Sequence, residues 1–243
     1  MTISTFYPPD NNNDAAIRAP ESNGQSWDTV RDHAGAALAD VSGGGGLIVF
    51  IGWAVNGATG WDRFWRTILI FDTSSLPDGE DINSAYLGIW WDEAEASNGL
   101  QGAATGWSDA QQSIVVTAGT TASDTAVAVG DYDAIKGAAK WTANFNATKD
   151  TNADPSASGG WSDAGYVEHD LNATGISGIS KTGVTKLAIQ SVADVDDDEP
   201  SVSGTTQTGV LMQGRSVNTD DSASHPKLVV NHGSLFTPSI RFF

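Results

Sequence analysis

RTILIFDTSSLPDGEDINSAYLGIWW, residues 66–91, decides how this chain folds. Two apolar runs flank a polar loop, and each is too short for an ordinary domain helix. In the first, Arg66, Ile68 and Ile70 alternate with Thr67, Leu69 and Phe71, a period of two that marks a strand. Neither set is uniformly polar, so both faces of this strand are expected to be covered. Pro77-Asp78-Gly79 then supplies a turn, because proline presets the backbone and glycine tolerates the reversal. In the second run Leu87, Ile89 and Trp91 form the core-facing set, while Ser84 and Tyr86 face outward or toward a loop.

The same reading extends along the chain. ISTFY (3–7) is a short strand stopped by Pro8 and Pro9. DAAIRA (14–19) is another, after the turn NNND, and a further short strand is expected near Trp27 to Arg31. LIVFIGW (47–53) is a buried strand by its shortness and β-branched content. SIVVT (113–117), DTAVAVG (124–130), WSDAGYVEHDL (161–171), VTKLAIQSV (184–192), TGVLMQG (208–214) and PKLVVNH (226–232) complete the set. DYDAIKGAAK (131–140) reads as one or two helical turns, ATGISGISKTG (173–183) as a short helical crossover, and DVDDDEP as a charged turn. Many strands with almost no helix predict an all-β protein, a two-layer antiparallel β-sandwich of jelly-roll-like or immunoglobulin-like form. Residues 1–232 are expected to be one domain with long loop insertions at 20–63, 92–112 and 142–160. An apolar tail, 233–243, follows.

Composition narrows the function. Twelve Lys and Arg stand against thirty Asp and Glu, a net charge of −18, which disfavours nucleic acid and anionic lipid as partners. Cation binding and plain solubility both fit that charge. With no cysteine there is neither a disulfide nor a thiolate metal ligand. MTISTFYPPD lacks the basic and apolar regions of a secretory signal, and no window approaches 18 apolar residues. Synthesis in the cytoplasm without membrane insertion is the expectation.

Three stretches carry a family likeness. RTILIFDTSSLPDGEDINSAYLGIW resembles the R-x-L-x-F-D-x-S-x-L-P-x-G core of DNRLRE-type β-sandwich domains. WSDAGYVEHDLNATGISGISKTGVTKLAIQ resembles that family's later strand, short crossover and strand, and SASHPKLVVNH resembles its closing strand. The resemblance implies a non-catalytic module. In stand-alone form it resembles structural proteins of tailed-phage virions, which implies assembly with capsid or tail subunits and with itself. The expected location is the virion, after synthesis in the host cytoplasm. The insertions at 20–63 and 92–112 depart from the family pattern.

Candidate residues have two readings each. Arg66 and Asp72 are either a ligand-binding pair or structural, with Arg66 anchoring a neighbour and Asp72 capping the turn through backbone N–H groups. His33, His169, His225 and His232 show no zinc spacing and no catalytic motif, so no catalytic residue is assigned and the chain is read as a non-enzyme. Glu168 and Asp170 would share one face of a strand and His169 the other. DVDDDE (194–199) is either a solvated turn or a calcium loop, with Asp194, Asp196 and Asp198 as ligands. Nine tryptophans are many for this length. Trp61, Trp107 and Trp161 lie near loops, where they either close the core or stack on sugar rings, with Asp62 and Asp109 beside them for hydroxyls. This is the basis of the alternative function, a glycan-binding module or phage adhesin. Phe6, Tyr7, Leu235, Phe236, Ile240, Phe242 and Phe243 are the expected assembly contacts, because apolar termini either pack back or dock on a neighbour.

Overall fold

The computed structural model describes residues 1–10, 12–19, 24–34, 37–38, 47–54, 60–91, 108, 110–111, 113–145, 165–201, 208–217 and 222–233. Two four-stranded antiparallel sheets face each other. The first runs β1 (Thr2–Phe6), β11 (Lys227–His232), β6 (Ile82–Trp91), β8 (Gly165–Asp170). The second runs β2 (Asp14–Arg18), β5 (Gly60–Asp72), β9 (Val184–Ser191), β7 (Ile114–Ala118). A two-residue β3 (Ala37–Leu38) lies on the outer edge of β2. The sheets join at one corner through β4 (Leu47–Ala54) and β10 (Thr208–Gly214), which pair with each other. There β4 continues onto the first half of β5, and β10 meets the end of β6 at Gly214 and Trp91. The expected all-β, two-layer antiparallel sandwich is therefore the fold.

The inner faces meet as the alternation requires. Leu69 and Phe71 of β5, Leu187 and Ile189 of β9, and Ile114 and Val116 of β7 pack against Leu87 and Ile89 of β6, Val167 of β8 and Leu228 and Val230 of β11. The outer face of the second sheet is also covered. Ile68 and Ile70 of β5 and Ile17 of β2 lie beneath Trp27, Val30, Tyr132, Ile135 and Ala193. Those residues come from α1 (Trp27–Arg31), α2 (Asp131–Ala134), α4 (Val192–Asp196) and the chain around them. Strand β5 is thus buried on both sides, and each of its fully buried apolar side chains contributes about 1.5–3 kcal/mol. The remaining short helix, α3 (Ala173–Ser177), packs on the first sheet beside Trp141, with Asn172 capping its start.

Four expectations are corrected. Residues 27–31 form a helix, not a strand. Ser26 accepts the Thr29 N–H at 3.2 Å, Asp28 sits in the first turn and Arg31 in the last, each favoured by the helix dipole. Trp27 and Val30, three apart, then share the face that covers the second sheet. Residues 124–130 are not a strand. The Asp131 carboxylate accepts the N–H groups of Ala122 (3.0 Å) and Ala128 (2.7 Å), and the Val127 N–H donates to the Asn12 carbonyl (2.8 Å). A side chain and a turn therefore satisfy backbone donors that a ladder would otherwise hold. The turn at DVDDDEP begins as helix α4 and closes with Asp197 in the left-handed region, φ 55°. Of the expected exposed loop 142–160, Thr142 and Phe145 are buried, and Phe145 exchanges two 2.8 Å backbone bonds with Ile114. Residues 146–160 lie outside the described residues.

No helix among the described residues is long and apolar enough to cross a membrane.

Candidate functional site

The acidic turn 194–199 is a fastening point. Asp194, on α4, is buried, and both its oxygens meet Arg66 at 2.7 Å. Arg66 is fully buried in the middle of β5. It also donates to the carbonyls of Tyr132 (2.6 Å) and Arg31 (3.0 Å), and the Tyr132 ring lies 3.9 Å from its guanidinium carbon. Burial works against the charge on Arg66, but the charge and hydrogen bonds of Asp194, together with Tyr132 and Asp133, outweigh it and hold its pKa above the ordinary value. Asp196 pairs with Lys140 at 2.7 Å, and Asp197 with Arg31 at 3.3 Å. Asp197 also accepts the Trp27 indole N–H (2.9 Å), and Glu199 that of Trp61 (2.8 Å). Of the three expected calcium ligands, Asp194 is committed to Arg66 and Asp196 to Lys140, while Asp198 is exposed. Among the described residues no group of three acidic or imidazole side chains gathers around one point. Asp72 caps its turn as the structural reading expects, accepting the Ser74 N–H (3.1 Å) and hydroxyl (2.6 Å).

Trp61 presents no surface to a sugar. It is fully buried, edge-on to Trp27 (4.8 Å between centroids) and to Phe64 (5.6 Å). The register explains this. Gly52 pairs with Arg63 and Trp53 with Trp61, so Asp62 is an extra residue in β5. That bulge reverses the facing of Trp61 and places it with Phe64. The side chain of Asp62, and all of Trp107, Asp109 and Trp161, lie outside the described residues. The described aromatic surface is elsewhere, on the outer face of the first sheet. Tyr86, Trp90 and Tyr166 are half-buried there beside exposed Glu168 and Asp170. Trp90 meets Tyr166 edge-on at 5.4 Å, and the Lys227 ammonium lies 3.8 Å from the Tyr166 ring centre. His169, opposite in facing to Glu168 and Asp170, sits in the core against Phe145, and burial pushes its pKa down to about 4.

At the termini the expected contacts divide. Phe6 points into the core and Tyr7 outward. Leu235, Phe236, Ile240, Phe242 and Phe243 lie outside the described residues. Strand β1 pairs with β11 and ends the sheet order, so its other edge faces away from the sheet. Met1, Ile3 and Tyr7, at 74%, 70% and 48% exposure, are the large apolar side chains exposed among the described residues. On the inner side of β1, Ser4 Oγ is 2.9 Å from His232 Nε2, and His232 Nδ1 is 2.5 Å from Glu80 Oε2. Hydroxyl, imidazole and carboxylate in that order is a chain no sequence motif revealed, since its members come from three distant segments. Here it ties β1 and β11 to the β5–β6 turn. The same junction holds the Gly233 N–H on the Asp81 carbonyl (3.0 Å) and the Asn83 amide on the Gly233 carbonyl (2.9 Å).

One more acidic group stands out. Asp14, at the start of β2, is fully buried. Burial pushes its carboxyl up to about 7. The Val217 N–H, donated to it at 2.6 Å, works the other way, and the charge of Asp10 adds to the rise.

Comparison with protein-family models and with curated proteins returns no match, so the likeness to DNRLRE-type domains rests on the motif residues quoted above.

Proposed function

We propose that this chain is a non-enzymatic virion structural protein, a capsid decoration, head fibre or tail component, that works by assembling with other virion subunits and with itself. The observation that carries the assembly reading is the outer edge of β1. A sheet edge offers a row of backbone donors and acceptors to any strand that can approach it. Folded proteins commonly blunt such edges with charge or proline, yet TISTF contains neither, and Met1, Ile3 and Tyr7 add exposed apolar surface along it. The virion setting draws on the resemblance to DNRLRE-type domains, whose stand-alone form is found among structural proteins of tailed-phage virions. The test is co-sedimentation with particles of the parent virus, together with sedimentation velocity of the chain alone. Ile3→Lys, on an exposed side chain, should abolish association and leave the circular dichroism spectrum unchanged. Wild type that neither self-associates nor binds particles, or a variant that binds equally well, overturns the reading.

A second reading, glycan binding, draws on the outer face of the first sheet, where Tyr86, Trp90 and Tyr166 lie beside Glu168 and Asp170. A glycan array probed with wild type and Tyr166→Ala tests it. Signal that the variant loses supports it, and a blank array removes it.

A further inference from the structure

We infer that the strand received by the β1 edge is β1 of a second copy of this chain, antiparallel across a two-fold axis at Thr5. This rests on the assembly reading above and names the occupant of that surface. Among the described residues β1 ends the first sheet, with β11 on one side and no strand on the other. Its inner side is already committed. Phe6 packs in the core, and Ser4 meets His232, which meets Glu80 in turn. The strand is therefore ordered before a partner arrives, which lowers the cost of adding one.

Charge and self-complementarity select the partner. The chain carries −18, yet MTISTFYPP, at its start, has no charged side chain. A cationic strand finds no carboxylate on β1 to pair with, whereas a neutral strand meets no like charge. The same strand in a second copy is neutral, and an antiparallel pair admits a two-fold axis, so each copy offers and receives one surface. The period of two sets the register. Ile3, Thr5 and Tyr7 are exposed and lie opposite in facing to the buried Phe6. With Thr5 on the axis, Ile3 stands against Tyr7 of the second copy and Tyr7 against its Ile3. A β-branched and aromatic pair, a favourable cross-strand match, therefore forms twice. An axis at Ser4 would set Ile3 against Thr5 instead. Pro8 has no N–H and stops the ladder just past Tyr7. The first sheets of the two copies then continue as one. A single short strand pair falls short of the roughly 1,200–2,000 Å² of a stable complex, so the dimer is weak in dilute solution.

The test is sedimentation velocity of the full chain at up to about 1 mM, with disulfide trapping. Wild type should show a dimer fraction that grows with concentration and with salt, which screens the repulsion between two acidic chains. The chain has no cysteine, so introduced ones report alone. Under mild oxidation Thr5→Cys should yield a covalent dimer, because directly opposed antiparallel residues have Cα atoms about 4.5–5.5 Å apart, within disulfide range. Ile3→Cys alone should not, since its two copies lie about 13 Å apart along the strands. Ile3→Cys combined with Tyr7→Cys should trap the dimer again. All three positions are exposed, so the fold is kept. Trapping of Thr5→Cys no better than that of Ile3→Cys overturns the inference. A monomeric wild type that still binds particles through β1 overturns it as well, but leaves the assembly reading standing with another subunit on the edge. A monomeric wild type that dimerises once truncated after Gly233 also overturns it, with the chain's own tail on the edge.

Discussion

Removing the carboxylate of Asp194 strands a buried charge. In Asp194→Ala the Arg66 guanidinium loses two contacts of 2.7 Å. It keeps only the carbonyls of Tyr132 and Arg31 and the Tyr132 ring, none of which carries a compensating charge. Arg31 loses a neighbour too, since its Nε lies 3.6 Å from Asp194 Oδ1. Breaking a buried pair by deleting one partner costs about 3–5 kcal/mol, because the remaining ion stays desolvated. A domain of ordinary stability has about 5–15 kcal/mol in total, so about a fifth or more of it should disappear. Urea unfolding followed by tryptophan fluorescence measures the loss as a lower midpoint at unchanged slope. The double variant Arg66→Leu with Asp194→Leu removes both charges of the pair and strands the two carbonyls, while Arg31 keeps Asp32 and Asp197 at 3.3 Å. It should therefore cost no more than Asp194→Ala alone. A single variant within about 1 kcal/mol of wild type, or a double variant much worse than the single, would refute this account of the anchor.

Further outcomes follow from other contacts. His169 is held neutral in the core, with its pKa lowered from 6.5 to about 4, so the folded state binds its proton more weakly than the unfolded chain does. Its contribution is fully present above about pH 6.5 and is lost as pH falls toward 4, up to roughly 3 kcal/mol, and His169→Leu should flatten that part of the stability–pH curve. Gly178→Ala would drive a Cβ into Cζ2 of Trp141, a ring held in the core, and should lower stability by about 1–3 kcal/mol in a thermal melt. Ser4→Ala removes one link between β1 and His232 and should cost about 1 kcal/mol. A fluorophosphonate probe should leave Ser4 unlabelled, and stoichiometric labelling there would contradict the non-enzymatic reading.

The sandwich was legible because its central strands are long and alternate cleanly. INSAYLGIWW is β6 to the residue, and the facing of Ile68 against Leu69 is as the period demands. What stayed hidden depended on partners far along the chain or on single local bonds. WDTVR is rich in residues that favour strands, and it becomes a helix because Ser26 caps it and the second sheet needs Trp27 and Val30 as cover. VAV within 124–130 looks like a strand until the Asp131 carboxylate takes the N–H groups of Ala128 and Ala122. The pairing of Arg66 with Asp194 spans 128 residues, and no local pattern announces it. The same distance explains why the densest acid cluster stayed open between a solvated turn and a calcium loop, when Asp194, Asp196, Asp197 and Glu199 are committed to Arg66, Arg31, Lys140 and two indoles. Trp61, left open between core and sugar stacking, is decided for the core by one residue of β-bulge, which reverses facing without altering composition.

The claim that the outer edge of β1 is the assembly surface is tested most directly by hydrogen exchange on the isolated chain and on the chain bound to its particle. Amides of residues 2–6 that face away from β11 should exchange freely in the first sample and slow sharply in the second. Unchanged exchange along β1, with protection appearing on another face instead, would place the interface elsewhere and contradict the account.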